Sequence, residues 1–163
     1  MSIIHEELKN ADYSKLPIGK LINIISKSQT FYLNHKLCEF GINYTQFSLL
    51  FEISHQIHIN QERIANRCNI NKGAVARSIK KLEEKELVVR EIDAENRRQN
   101  KVSITKKGEI ILNNCINYFN EWEDEIFNDE TINREELQET LKKIMIKIME
   151  INEREILNEC RKK

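Results

Sequence analysis

Proline occurs once in this chain of 163 residues and glycine only four times. Sandwiches and barrels need frequent turns, and a collagen-like chain needs a glycine period. The scarcity excludes these and favours long helices. Net charge is missing too, because 26 basic residues meet 26 acidic ones, so the whole-chain balance points to no polyanionic partner. The four cysteines, Cys38, Cys68, Cys115 and Cys160, form no CxxC pair, which argues against a disulfide framework and for a reducing cytosol. No apolar stretch follows a basic start, so no signal peptide is expected. The longest apolar run, 144–151, is broken by Lys147 and Glu150 and is too short to span a bilayer. There is no Gly-rich phosphate loop, no nucleophile elbow and no HExxH, so an enzyme is not expected.

What is present is a chain able to bury a core, with 40% hydrophobic and 32% charged residues. Its charge is unevenly spread. Residues 1–60 are balanced at five of each sign. Residues 61–107 carry thirteen basic and seven acidic groups, and residues 108–163 eight and fourteen. The middle segment, at +6, is a candidate footprint for a polyanion.

Periodicity divides the chain. Pro17 suits the first position of a helix, and Leu21, Ile22, Ile25, Leu33 and Leu37 follow at helical spacing until Gly41 stops it. A second helix is expected after Tyr44-Thr45, with Thr45 as N-cap. Asn60 can cap a short helix from Gln61 to Cys68 whose inward residues are Ile64, Ala65 and Cys68. Asn69 tolerates the left-handed backbone of a tight turn. Ile70 then reads as a buried anchor and Asn71 as the cap of a longer helix, Lys72 to about Lys85. Two strand-like runs, 87–92 and 101–105, flank the polar tip 93–100 and predict a β-hairpin. Lys106 to about Phe127 is helical again. Asn133, with Glu136 three residues on, signals the last helix, where Leu137, Leu141, Ile144, Ile148 and Ile151 form a heptad seam.

A short helix, a tight turn, a second helix and a hairpin make a winged helix-turn-helix. In the second helix Val75, Ile79 and Leu82 suit the core, while Ala74, Arg77, Ser78 and Lys81 share the opposite face. Gly73 and Ala74 are small enough for close approach to a major groove, and Arg77 and Lys81 long enough to reach a base edge or phosphate. Lys72 and Gly73 lie in the first turn, whose free N–H groups attract phosphate. Arg97 and Arg98 at the hairpin tip, with Lys101, suit an adjacent minor groove or its phosphates.

Residues 60–108 resemble the MarR family of regulators. The resemblance is carried by Gln61-Glu62-Arg63-Ile64-Ala65, by Asn71-Lys72-Gly73-Ala74-Val75-Ala76-Arg77, by Lys81-Leu82-Glu83, and by Asp93-Ala94-Glu95-Asn96-Arg97-Arg98 followed by Val102-Ser103-Ile104-Thr105-Lys106-Lys107-Gly108. It implies a homodimer built from the terminal helices, a pseudo-palindromic operator in double-stranded DNA, frequent repression, and release by a small aromatic acid bound between the dimerisation and DNA-binding lobes. Two positions depart from the pattern. Glu86 stands where a glycine usually ends the recognition helix, so that helix ends differently or runs on. Asn96 stands where an Asp is common in the wing, so an ion pair with Arg77 is replaced by a neutral hydrogen bond unless Asp93 or Glu95 serves.

The expected fold is mainly α with a small β-hairpin wing. Residues 1–42 form a tail and dimerisation helix, 43–106 the winged helix-turn-helix lobe, and 107–163 the C-terminal dimerisation helices. The candidate DNA contacts are Gln61, Lys72, Gly73, Ala74, Arg77, Ser78, Lys81, Arg97, Arg98 and Lys101. The candidate dimer contacts are Ile18, Leu21, Leu137, Leu141, Ile144, Ile148 and Ile151. No metal and no resident cofactor is expected, since His55 and His58 lack further ligands at zinc spacing. The alternatives are a winged helix that docks a protein, or a metal- or thiol-responsive sensor of the same fold, with Cys38 as the candidate thiol.

Overall fold

The computed structural model describes residues 10, 12, 15–56, 59–92, 100–128 and 131–161. Helix α1, Ile18–Leu37, passes through a 3-10 turn, Cys38–Phe40, into α2, Tyr44–Ser54. Strand β1, Ile59–Asn60, leads into α3, Gln61–Cys68, and α4, Lys72–Glu84. Strands β2, Val88–Ile92, and β3, Asn100–Ile104, are followed by α5, Lys106–Phe127, and α6, Arg134–Arg161. The described residues form two compact units that divide between Tyr118 and Phe119, within α5. No described helix is long and apolar enough to cross a membrane.

The first unit is built on residues that lose essentially all solvent contact: Leu33 and Leu37 of α1, Leu49, Leu50 and Ile53 of α2, Ile64 of α3, and Val75, Ile79 and Leu82 of α4. Val102 of β3 and Cys115 of α5 complete the core. Each large aliphatic side chain so buried contributes roughly 1.5–3 kcal/mol. Cys115 packs as a small hydrophobe, and burial pushes its thiol up to about 12.

Several helix ends differ from the sequence reading. Pro17 stands one residue before α1, in extended backbone, rather than at its first position. Asn43, not Thr45, caps α2: its Oδ1 accepts from Gln46 N, and Gln46 Oε1 accepts from Asn43 N, a reciprocal capping box. Gly41 does end the preceding segment, at φ 64°.

The sheet has three strands in the order β1-β3-β2, where the sequence suggested a hairpin alone. Two residues, Ile59 and Asn60, pair with Val102 and Lys101; a strand this short leaves no alternating pattern to read. Between β2 and β3 the register sets Val88 opposite Ile104, Arg90 opposite Val102 and Glu91 opposite Lys101. The hairpin tip, with Arg97, Arg98, Asn96, Asp93 and Glu95, lies outside the described residues.

In the second unit Asn133 caps α6 by accepting from Glu136 N at 3.0 Å. Arg134 pairs with Glu123 and lies over the Phe127 ring, 5.5 Å from its centroid. Trp122 is half-buried.

Candidate nucleic-acid interface

The helix-turn-helix is a sequence of capped ends. Asn60 Oδ1 accepts from Arg63 N at 2.8 Å and starts α3. Asn69 then adopts φ 51°, ψ 44°, and Ile70 N donates to Ala65 O at 3.0 Å, a Schellman closure. Ile70 is half-buried rather than a buried anchor, and Cys68 is likewise half-buried. Asn71 Oδ1 accepts from Ala74 N at 2.8 Å and starts α4. Asparagine thus makes both caps and the turn, for the reason expected: its short amide satisfies free N–H groups and tolerates left-handed backbone.

Helix α4 buries Val75, Ile79 and Leu82 and turns Lys72, Gly73, Arg77 and Lys81 to solvent, with Ala74 and Ser78 half-exposed at the margin. Gly73 has no positive φ, and a Cβ there would meet only ordinary contacts, Asn71 Oδ1 at 3.5 Å and Arg77 Nη1 at 3.6 Å. Nothing in the chain requires a glycine at this point. Gln61 is half-buried at the start of α3, and Lys101 is half-buried in β3 opposite Glu91.

Lys72 is tied down. Its ammonium lies 2.6 Å from Glu62 Oε1, and this bond holds the Glu62 carboxyl below its ordinary value. Arg67 is similarly held by Glu52. The sequence read Lys72 as a free contact because i to i+10 pairing across a turn leaves no periodic signal.

The end of α4 answers the question raised by Glu86. The helix stops at Glu84, and Glu86 itself takes the left-handed position at φ 61°. Glu86 N donates to Glu83 O and Leu87 N to Leu82 O, each at 2.9 Å, a complete Schellman motif with a glutamate where glycine is usual. Thr105 Oγ1 donates to Glu86 O at 2.7 Å, and Lys107 Nζ meets Glu86 Oε2 at 2.9 Å. Thr105 Oγ1 also accepts from Gly108 N at 3.0 Å and so caps α5. A Cβ on Gly108 would stand 2.1 Å from Leu87 O, so this glycine is required by close approach. Arg90, which the sequence analysis did not single out, pairs from β2 with Glu83 of α4 at 3.1 Å, and its Nε is buried without an acceptor.

Among the described residues no three His, Cys, Asp or Glu side chains converge as for a metal ion. His5 and His58 lie outside those residues, and His55 Nδ1 is 2.8 Å from Phe51 O. Cys38 is exposed, and its thiol donates to His35 O at 2.8 Å. The Cys160 side chain lies outside the described set.

Three helices folded on a small antiparallel sheet, with α4 carrying one buried and one cationic face, define a winged helix-turn-helix protein. Residues 42–99 match the model of the MarR family. The HTH-type transcriptional regulator SarZ of Staphylococcus epidermidis is 29% identical over 114 residues, 70% of this chain and 72% of SarZ. Among solved structures a MarR is 27% identical at a TM-score of 0.77, covering 85% of this chain and 95% of that one. A MarR transcriptional regulator from Methanosarcina mazei Go1 is 29% identical at 0.75, covering 82% and 97%. Over its winged-helix lobe the chain is thus similar to the MarR family, and the relatives it matches are transcriptional regulators rather than enzymes.

Proposed function

We propose that the chain is a homodimeric repressor that reads a pseudo-palindromic operator in double-stranded DNA with the exposed face of α4. The observation that carries this reading is Gly73 beside Arg77. A residue without a side chain, which the fold itself does not demand, sits at the leading end of a helix that presents a long cation one turn on. A major groove asks for that pairing of close backbone approach and flexible reach. Gln61, Lys72, Ala74, Ser78, Lys81 and Lys101 flank these contacts, and Arg97 and Arg98 act from the wing. Lys72 becomes available when a phosphate displaces Glu62.

Dimerisation is supported by apolar side chains that a single chain leaves in water. Ile18 is 64% exposed, and Leu137, Leu141, Ile148 and Ile151 are also exposed, with Leu21 and Ile144 half-buried. A dimer seam over these residues sets the two α4 helices about 34 Å apart, one turn of the duplex. A small aromatic acid is the effector class that the family resemblance supports.

Substituting Arg77→Ala tests the groove assignment. Operator affinity should fall by about 1–3 kcal/mol with relaxed base preference at one position of each half-site, measured by fluorescence anisotropy against a panel of duplexes. Unchanged affinity would remove α4 from the groove and point to a protein partner instead. A thermal-shift series with aromatic acids, zinc and peroxide separates the effector classes by which one raises or lowers the melting temperature.

A further inference from the structure

Between Glu52 and Glu83 the chain carries one acidic residue, Glu62, against six basic ones, Arg63, Arg67, Lys72, Arg77, Lys80 and Lys81. That single acid is placed on a particular cation. Its Oε1 stands 2.6 Å from Lys72 Nζ, so the pair joins the first turn of α3 to the first turn of α4 across the Asn69 turn. Lys72, Arg77 and Lys81 are the cations that α4 turns to solvent on its proposed reading face. Among the described residues only Lys72 of these three has a carboxylate partner. Glu83 and Glu84, at the far end of the helix, face Arg90 and Lys80 instead.

The pair is built to be exchanged. Its side chains are 71% and 56% exposed, so both ions remain in water. An exposed ion pair is weak and screened by salt, and it braces two helices poorly. The Glu62 carboxyl is held below its ordinary value, first by the hydrogen bond from Lys72 and then by its charge, so it is ionised at neutral pH. A carboxylate oxygen accepts from an ammonium in the same charge-assisted way as a phosphate oxygen. Two anions brought to one ammonium repel each other, so Lys72 cannot hold a strand phosphate at full strength while Glu62 stays in place.

We infer that Glu62 is an internal competitor for the DNA backbone: it occupies Lys72 in the free protein, gives way when a strand phosphate arrives, and so holds down the affinity for duplexes of every sequence. This rests on the duplex-binding reading above and names a residue that sets its strength. Phosphate contacts carry no sequence information, so the competitor lowers the non-specific background against which Arg77 reads bases.

The test uses the full-length protein and a fluorescein-labelled mixed-sequence duplex, with anisotropy read over a series of salt concentrations. Glu62→Gln keeps the shape and removes the charge, and it is made both alone and together with Lys72→Gln. Urea melts verify that each variant folds. Glu62→Gln should tighten duplex binding about 2- to 5-fold. It should also steepen the salt slope by about 0.9, since Lys72 then neutralises a phosphate without freeing an acid. Both gains should vanish in the Lys72→Gln background. An equal gain in the two backgrounds would make Glu62 a plain repelling charge and overturn the competition for Lys72. A lower urea midpoint with unchanged or weaker binding would make the pair a strut between α3 and α4, which overturns it as well. Should Arg77→Ala still weaken duplex binding while Glu62→Gln does nothing, the α4 reading stands and the competitor falls. If neither the wild type nor Glu62→Gln binds duplex at any salt concentration, both fall together.

Discussion

Glu86 shows how a single residue can carry a turn that its type disfavours. A side chain at φ 61° costs roughly 1–2 kcal/mol relative to glycine. The structure surrounds it with two Schellman hydrogen bonds, the Thr105 hydroxyl and the Lys107 ammonium, all of which hold the left-handed geometry. Replacing Glu86 with glycine relieves the strain but loosens the unfolded chain by about 0.4–1 kcal/mol. Glu86→Gly should therefore leave stability unchanged or raise it by up to about 1 kcal/mol in urea melts, whereas Glu86→Val should lower it by about 1–2 kcal/mol. Equal losses in both would mean the position is not left-handed in solution. Gly108 is the opposite case, since Gly108→Ala forces a Cβ onto the Leu87 carbonyl. It should destabilise by about 2–3 kcal/mol, read as a lower urea midpoint. Cys115, with its thiol pushed up to about 12, carries almost no thiolate at pH 8. It should resist alkylation in the native state and label only on unfolding; rapid native labelling would show that α5 opens there.

At the level of elements, the helix-turn-helix was legible because each boundary carries a local chemical mark. Asn60, Asn69 and Asn71 are visible in the sequence as caps and turn, and each performs that task. Asn71→Ala should cost about 1 kcal/mol of stability through loss of the α4 cap, and retention of full stability would show that the cap is dispensable. The α2 start was misplaced by two residues, because Thr45 is as good a capping type as Asn43 and only the reciprocal bond to Gln46 distinguishes them. Strand β1 was missed because two residues have no period. Its existence depends on Val102 and Lys101, far along the chain.

For the whole molecule, the unevenness of charge matters more than its sum. The basic segment 61–107 holds α4 and both hairpin strands, and the acidic segment 108–163 holds α5 and α6. Helix α6 exposes Leu137, Leu141, Met145, Ile148 and Ile151, more apolar surface than an isolated helix keeps in water without association. The double variant Leu141→Glu, Ile148→Glu should sediment as a monomer and lose operator affinity steeply, because two half-sites are then bound independently. A persistent dimer would move the seam away from α6.

The sequence by itself determined the recognition unit. Helical period, asparagine caps and the contrast between Val75-Ile79-Leu82 and Arg77-Lys81 are encoded within short windows, where neighbouring residues decide the backbone. Tertiary structure decided what joins distant windows. It set the three-strand order and register, seated Glu86 in a glycine conformation against Thr105 and Lys107, and brought Gly108 onto Leu87. The physical reason is the same in each case. The energy lies in contacts between elements, and a residue's local surroundings hold no record of which distant group will stand across from it.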